Sequence, residues 1–267
     1  MLSITKAYYR GYQAVMRAVI KIANIKEPEL VCGPGSLEKL PGILKEAGIE
    51  RILVVASHSM MKSGGLGGFF KRLEADGISS SVYDRVQPNP SIDNIEDCLK
   101  AYNEGGSGAI VAIGGGSPID CAKVVAARVA CPGRPIRALR GYLKVRGRLP
   151  PLYAVPTTAG SGSEATIAAV VTDSATHEKY AITDFKLVPG FAVLDPVLTV
   201  GLPAPTTAAT GMELSRWRYL SPMAKSSISR FSLIMKTKSS LRPSLLSSRT
   251  SSSETTVSTS TRSPARP

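Results

Sequence analysis

The sequence predicts a doubly wound α/β domain built on a mostly parallel sheet. Short apolar runs rich in β-branched residues alternate along the chain with longer stretches of helical pattern, which is typical of strands and helices wound around one sheet. Glycine-rich and hydroxyl-rich segments follow two of the apolar runs, at the sheet end where such folds bind ligands. A domain of about two hundred residues is also long enough to bury a core.

The predicted elements follow in chain order. Apolar runs of four to six residues predict strands because they are too short for helices and are bounded by turn residues. The predicted strands cover residues 52–56, 109–113, 152–155 and 192–194. The predicted helices cover residues 37–47, 67–76, 94–104 and 119–130.

Composition divides the chain into three parts. Residues 1–26 predict an amphipathic helix that packs on the domain or on a partner subunit, and its interspersed charges exclude a secretory or membrane-spanning segment. Residues 27–212 form the predicted α/β domain. Residues 213–267 are a tail rich in Ser, Thr and Arg that predicts disorder, because it has little apolar surface to bury.

The most informative segment is the glycine loop, residues 114–117, which joins the strand at 109–113 to a helix. Three consecutive glycines let the backbone turn sharply and approach a ligand closely, and Pro118 suits the first turn of a helix. Unpaired N–H groups at that turn favour a diphosphate. From the glycines alone, a tight turn that holds no ligand is an equally good interpretation.

A second segment, the hydroxyl loop of residues 157–166, follows the strand at 152–155. Its Ser, Thr and Gly residues suit a polar ligand, although such clusters are also ordinary loops. Two loops of this kind after two strands of one sheet favour a ligand site.

With these two loops, the chain resembles the iron-containing (group III) alcohol dehydrogenase family, related to glycerol dehydrogenase and dehydroquinate synthase. The resemblance covers about residues 27–212 and depends on the order and spacing of five motifs. They are an expected opening hairpin and first helix at 29–40, Pro-Asn-Pro at 88–90, Gly-Gly-Gly-Ser-x-x-Asp-x-x-Lys at 114–123, Thr-Thr-Ala-Gly-Ser at 157–161 and Leu-Asp-Pro at 194–196.

The resemblance implies an N-terminal domain that binds NAD or NADP. The residues that match the family's diphosphate-binding positions are Gly115, Gly116 and Ser117, with Asp120 supporting the loop. Those that match its nicotinamide and ribose side are Thr157, Thr158, Ser161 and Thr166, and Asn89 is expected near the cofactor. Lys179 matches a lysine that reaches a ribose hydroxyl, but by sequence alone a solvated charge is the better interpretation.

Ser57 follows the strand at 52–56, where many NAD-using relatives carry an aspartate. A carboxylate there would bind the ribose 2′-hydroxyl and repel a 2′-phosphate. Since Ser57 does neither, the sequence predicts that NADP is tolerated alongside NAD.

A second departure concerns the catalytic metal, which is iron or zinc in the family. The resemblance implies an Asp and a His four residues apart on one helix, but the matching positions hold Glu213 and Trp217. The family takes two further histidines from a downstream helical domain, whereas this sequence contains only His58 and His177. The metal site is therefore expected to be incomplete, and the chain to be truncated and catalytically impaired.

The tail differs from the rest of the chain. Residues 213–267 contain seventeen Ser and six Thr, and ten Lys or Arg against two acidic residues, within a chain of net charge +13. The abrupt change suggests a shifted reading frame after codon 212. A basic tail that binds nucleic acid is the rival interpretation, but few aromatic residues are available to stack on bases, so nucleic acid is an unlikely partner.

The function expected from the resemblance is an NAD(P)-linked, metal-dependent oxidoreductase acting on a small alcohol or aldehyde. The alternative is a non-catalytic protein that binds dinucleotide or uses its basic tail for interaction, and a lyase of the dehydroquinate synthase type is less favoured. Four cysteines without paired zinc spacing and without a secretion signal predict a reducing cytoplasm. The sequence leaves the oligomeric state open, and a homo-oligomer is one alternative.

Overall fold

The chain folds around two sheets in the computed structural model, which describes residues 27–158 and 160–220. The main sheet has six parallel strands in the order β1-β9-β6-β4-β2-β3, and a small sheet has the order β5-β8-β7. The strands are β1 (Glu29–Cys32), β2 (Arg51–Ala56), β3 (Ser79–Tyr83), β4 (Ala109–Gly114), β5 (Gly141–Tyr142), β6 (Leu152–Pro156), β7 (Ala168–Thr172), β8 (Lys179–Thr183) and β9 (Phe191–Leu194). This architecture confirms the predicted fold class.

Seven helices connect or cover these strands within the described part of the chain. They are α1 (Leu40–Glu46), α2 (His58–Lys62), α3 (Gly67–Ala75), α4 (Ile92–Glu104), α5 (Gly116–Ala130), α6 (Val197–Val200) and α7 (Ala204–Leu220). Short 3₁₀ turns lie at Ser36–Lys39, Ile136–Leu139 and Phe185–Leu187. All four helices that the sequence predicts are present, the first of them beginning as a 3₁₀ turn.

Alternate residues of each central strand enter opposite layers of the core. Leu53, Ile110 and Ala112 face one layer with α4 and α5, whereas Val54 and Val111 face the other layer. The second layer is formed by the Ser36–Lys39 turn, α1 and α3. Apolar residues on both faces are what a parallel sheet covered by helices on both sides requires.

The opening hairpin predicted within residues 29–40 is not formed. β1 instead pairs in parallel with β9, with Glu29 opposite Phe191, and lies at an edge of the main sheet. Gly35 has a φ of 73°, and the chain turns there into the Ser36–Lys39 3₁₀ turn. The Asp195 carboxylate accepts the N–H groups of Gly35 and Leu37, at 3.2 and 3.1 Å, which stabilises the turn in place of a second strand.

The small sheet was not predicted, and it packs on the same core as one face of the main sheet. Ala169, Val171 and Ile182 are buried beside Leu53, Ile110 and the apolar face of α5. The small sheet therefore extends the core of the main sheet.

The predicted N-terminal helix at residues 1–26 and most of the predicted tail lie outside the described residues. The predicted boundary at residue 212 falls within α7, and the three-part division of the chain stays a prediction. No helix within the described residues has the length and apolar character needed to cross a membrane.

Candidate functional site

The candidate site lies at the carboxyl ends of β2, β4 and β6, which are neighbours in the main sheet. From β2 the chain continues to β3 on one side, and it then returns to β4 on the other side. This reversal of winding direction leaves a crevice outside the strand ends, where open α/β sheets bind their ligands.

The glycine loop enters this crevice directly after β4. Gly114 has a φ of 153°, and a β-carbon on it would stand 2.7 Å from Pro118 Cγ, so only glycine is accommodated at this position. α5 begins at Gly116, and its N-cap residue, Gly115, provides no side-chain cap for the first-turn N–H groups. Unpaired N–H groups at the positive end of a 15-residue helix suit an anionic group.

The glycine loop and the hydroxyl loop are in contact. Gly114 is the register partner of Pro156, and the Thr157 N–H donates to the Gly114 carbonyl at 2.8 Å. A β-carbon on Gly115 would stand 3.2 Å from Thr158 Oγ1, and one on Gly116 would stand 3.2 Å from Ser161 Cβ. The two loops thus form one wall, in which glycine allows the hydroxyl-bearing residues to approach.

The Pro-Asn-Pro turn lies against the same helix start. Asn89 adopts a positive φ of 55°, and its N–H lies 3.3 Å from Ser117 Oγ, which accepts the hydrogen bond. The turn that follows β3 is therefore adjacent to the turn that follows β4.

Two other predicted residues lie farther from the glycine loop. Ser57 follows β2 as the N-cap residue of α2, and its Oγ lies 3.2 Å from Ser59 Oγ. Lys179 is exposed at the start of β8 opposite Thr172, whose N–H donates to the Pro90 carbonyl at 3.0 Å. Lys179 is thus linked to the Pro-Asn-Pro turn through one strand pair.

Sequence reasoning did not identify a charged cluster at the hydroxyl loop, formed by the buried Lys123 and Glu164 and the partly buried Asp120. The fully buried Lys123 Nζ donates to the Thr166 carbonyl at 2.6 Å, to Thr166 Oγ1 at 3.0 Å and to the Ala168 carbonyl at 3.1 Å. Asp120 Oδ2 accepts the Val170 N–H at 3.0 Å. Asp120 therefore contacts the backbone of β7.

Burial controls the protonation of this cluster. Desolvation lowers the pKa of Lys123 to about 8, an effect that Asp120 and Glu164 oppose. Desolvation raises the pKa of both carboxyl groups, and the Lys123 charge partly offsets this. Asp120 Oδ1 and Glu164 Oε2 have no hydrogen-bond partner among the described residues. The spacing of Asp120 and Lys123 on one helix was the only sequence signal available for this cluster.

An open cleft of about 460 Å³ lies on the far side of the Pro-Asn-Pro turn. Asn89 and Ser91 line it together with Asp93 and Asp97. The two carboxylates make it a poor place for a diphosphate, because like charges repel at short range. The glycine loop is the better anion site.

The residues that the structure describes do not provide a catalytic metal centre. They contain no cluster of three or more His, Cys, Asp or Glu side chains that could hold a metal ion. His58 Nδ1 lies 2.7 Å from Asp84 Oδ2, whereas His177 lies in the turn between β7 and β8. The positions of Glu213 and Trp217 fall within α7, and Trp has no metal-ligating atom. The described residues therefore do not fit an iron or zinc site of the family type.

Comparison with known proteins identifies related sequences over the same region. A family profile described as "Iron-containing alcohol dehydrogenase" matches residues 28–196. The NAD-dependent methanol dehydrogenase of Bacillus methanolicus is 34% identical over 186 residues, which are 70% of this chain and 49% of that protein.

Solved structures agree with the sequence relatives. The crystal structure of a 1,3-propanediol oxidoreductase superposes with a TM-score of 0.68 at 32% identity, covering 72% of this chain and 50% of that one. A sulfoacetaldehyde reductase from Bifidobacterium kashiwanohense, solved in complex with NAD+, superposes with a TM-score of 0.64 at 28% identity over 72% and 50% of the two chains. The chain spans about half the length of the relatives it matches.

Proposed function

The chain belongs to the iron-containing alcohol dehydrogenase family, and from this premise we propose that its α/β domain binds NAD or NADP for an oxidoreductase acting on small alcohols or aldehydes. The observation that carries the proposal is the contact between the glycine loop and the hydroxyl loop at the reversal of the sheet. Bound dinucleotide would supply the hydride acceptor or donor.

In this proposal the diphosphate binds at the start of α5, where Gly115, Gly116 and Ser117 offer backbone N–H groups and a hydroxyl. The hydroxyl loop, through Thr157, Thr158, Ser161 and Thr166, lines the nicotinamide and ribose side. Asn89 and Lys179 approach from the Pro-Asn-Pro turn and from β8. The mutual proximity of the two loops and the turn supports these roles.

We propose that both NAD and NADP are accepted. Ser57 lies at the end of β2 and brings no carboxylate that would repel a 2′-phosphate. The matched relatives named for NAD support NAD as one of the two cofactors.

We also propose that this polypeptide has impaired catalysis. The described residues contain no metal-binding cluster, and Glu213 and Trp217 stand where the family is expected to carry an aspartate and a histidine. Binding of dinucleotide depends on other residues and is retained in this proposal. A cytoplasmic location and a homo-oligomer are further parts of the proposal and need direct measurement. Family membership favours this function over the alternative of an interaction protein using a basic tail.

The test is dinucleotide titration of the purified full chain, followed by reduced-nicotinamide fluorescence. Oxidation of short alcohols and 1,2-diols is assayed in parallel with added iron or zinc. Gly116→Ala should weaken binding about tenfold or more, because its β-carbon would crowd Ser161 at 3.2 Å and Ser163 Oγ at 3.3 Å. Gly42→Ala is the matched control, since nothing lies within 4 Å of its β-carbon.

Binding of either dinucleotide without turnover is the expected result. Turnover would contradict the proposed impairment and would show that a metal site forms from other residues. A folded chain that binds neither NAD nor NADP would refute the proposed cofactor site.

A further inference from the structure

The outer edge of β7 is joined to the dinucleotide-binding side of the domain by hydrogen bonds. β7 pairs with β8 on one side only, so the backbone groups of alternate residues on its other side need separate partners. Lys123 donates to the Ala168 carbonyl, Asp120 accepts from the Val170 N–H, and the Pro90 carbonyl accepts from the Thr172 N–H. α5 and the Pro-Asn-Pro turn thus take the place of a neighbouring strand.

Lys123 makes the most connections along this edge. An ammonium has three N–H donors, and the three acceptors at 2.6, 3.0 and 3.1 Å match that number. All three acceptors belong to Thr166 and Ala168, where the hydroxyl loop becomes β7. No other described residue donates a side-chain hydrogen bond to Thr166.

The electrostatics around Lys123 also involve the glycine-loop helix. The groups that face its ammonium are the carboxyl groups of Asp120, partly buried on α5, and of Glu164, buried in the hydroxyl loop. A diphosphate at the start of α5 would bring further negative charge to the same region. A buried cation two turns into α5 offsets that charge and lowers the cost of binding an anion there.

We propose that Lys123 is a positioning residue for the dinucleotide site, holding the hydroxyl loop through Thr166 against the glycine loop. This role rests on the proposed function, because it concerns the position of the hydroxyl loop in the proposed dinucleotide site. The connection runs from Lys123 to Thr166 and along the hydroxyl loop to Ser161, whose Cβ would lie 3.2 Å from a β-carbon on Gly116. Without the ammonium, the Thr166 end of the hydroxyl loop would lose the hydrogen bonds that hold it, and the other residues of this loop line the crevice.

The test compares Lys123→Met with Lys186→Met in the full chain. Lys186 is the matched control, because its Nζ also donates to two carbonyls, those of Val145 and Gly147 at 3.4 and 3.1 Å, but outside the two loops. Lys123→Met should weaken NADH binding about tenfold or more, since hydrogen bonds to a charged group are lost. Lys186→Met should stay within about twofold of the parent.

A second pair of variants, at Thr166, tests the inference even if Lys123→Met does not fold. Thr166→Ser keeps the hydroxyl that accepts from Lys123 and should leave hydrogen exchange of the backbone amides in residues 160–168 as in the parent. Thr166→Val removes that hydroxyl and should speed this exchange. In the double variant, Thr166→Val should add little to the effect of Lys123→Met, because the contact between Lys123 and Thr166 Oγ1 is already lost and only the Thr166 Oγ1 donation to the Ala168 carbonyl at 3.3 Å is left to remove.

Hydrogen exchange of backbone amides separates this inference from the proposed function. Lys123→Met should speed exchange in residues 160–168 relative to Lys186→Met, with β2 unchanged, whether or not dinucleotide binds. Folded Lys123→Met protein with parent NADH affinity, or equal amide exchange in residues 160–168 of Thr166→Val and the parent, would overturn the positioning role. If the parent binds no dinucleotide, the proposed function fails, and unchanged exchange in residues 160–168 would then overturn the role of Lys123 as well.

Discussion

Lys123 illustrates how much a single buried residue contributes to this domain. A lysine pKa of about 8 against the ordinary value of 10.5 means that the charged form is less stable in the folded chain than in water. That difference corresponds to a cost of roughly 3 kcal/mol of folding free energy at neutral pH. The cost would be larger without the three hydrogen bonds to Thr166 and Ala168.

The sign of the pH dependence follows from the lowered pKa. Between pH 8 and 10.5 the unfolded chain binds more protons at this lysine than the folded chain, so its contribution to stability rises with pH. The hydrogen bond with Cys121 and burial raise the pKa of Cys98, so its contribution to stability falls with pH above the pKa of an unfolded thiol. The contribution of Lys123 is therefore isolated by the difference in unfolding free energy between the parent and Lys123→Met.

We predict that the free energy of unfolding of the parent, relative to Lys123→Met, increases by about 2 kcal/mol between pH 7.5 and 9.5. The Cys98 contribution is common to both proteins and cancels. Urea denaturation at several pH values measures the difference, with Lys186→Met treated identically as the control. A difference that stays constant with pH would show that the ammonium is not buried in the folded chain.

At the scale of single elements, the N-terminus of α4 positions the Pro-Asn-Pro turn. Ser91 is the N-cap, and its Oγ accepts the Asn94 N–H at 3.2 Å. The Asn94 amide donates to Tyr83 Oη at 2.7 Å and to the Arg85 carbonyl at 2.9 Å, and its Oδ1 accepts the Gln87 N–H at 3.1 Å. One buried side chain therefore connects the end of β3, the segment before the turn and the helix.

We predict that Asn94→Ala lowers the free energy of unfolding by about 2–3 kcal/mol, because it leaves buried polar groups without partners. Asn103 is exposed near the other end of the same helix. The control Asn103→Ala should therefore change the free energy of unfolding by less than about 0.5 kcal/mol. Chemical denaturation of both variants measures these values. Equal effects of the two substitutions would mean that the Asn94 network is not formed.

At the scale of the whole molecule, the two sheets share one apolar core. Residues of the small sheet pack in one apolar cluster with those of the main sheet and α5. A shared core of this kind favours one cooperative unfolding transition, because neither sheet can lose its contacts without exposing the other. The edge contacts of β7 with Asp120, Lys123 and Pro90 strengthen this connection.

We predict that Ile182→Ala, in the small sheet, lowers the midpoint of a single transition by removing about 2–4 kcal/mol of stability. Ile182 is 1% exposed, whereas the control Val170 is 41% exposed, and Val170→Ala should have a small effect. Far-UV circular dichroism and tyrosine fluorescence should give coincident curves. Two separated transitions would show that the small sheet unfolds independently.

The central strands and most helices could be predicted from the sequence because their signals are local. β2, β4, β6 and β9 are apolar runs, and the glycine loop is recognisable from its consecutive glycines and Pro118. β3 has a polar sequence and was missed, because its strand conformation depends on pairing with β2.

The fold class, the family and the positions of the two loops could be inferred from the amino-acid sequence, since they depend on apolar periodicity and on short motifs. The parallel pairing of β1 with β9 and the small sheet that joins the core are seen only in the folded chain, because they bring together segments that are distant in sequence. The folded chain also shows that Lys123, 43 residues from Thr166, is buried beneath the hydroxyl loop. A lysine in a sequence predicts a solvated charge, and burial becomes tolerable only when distant segments supply acceptors for all three of its donors.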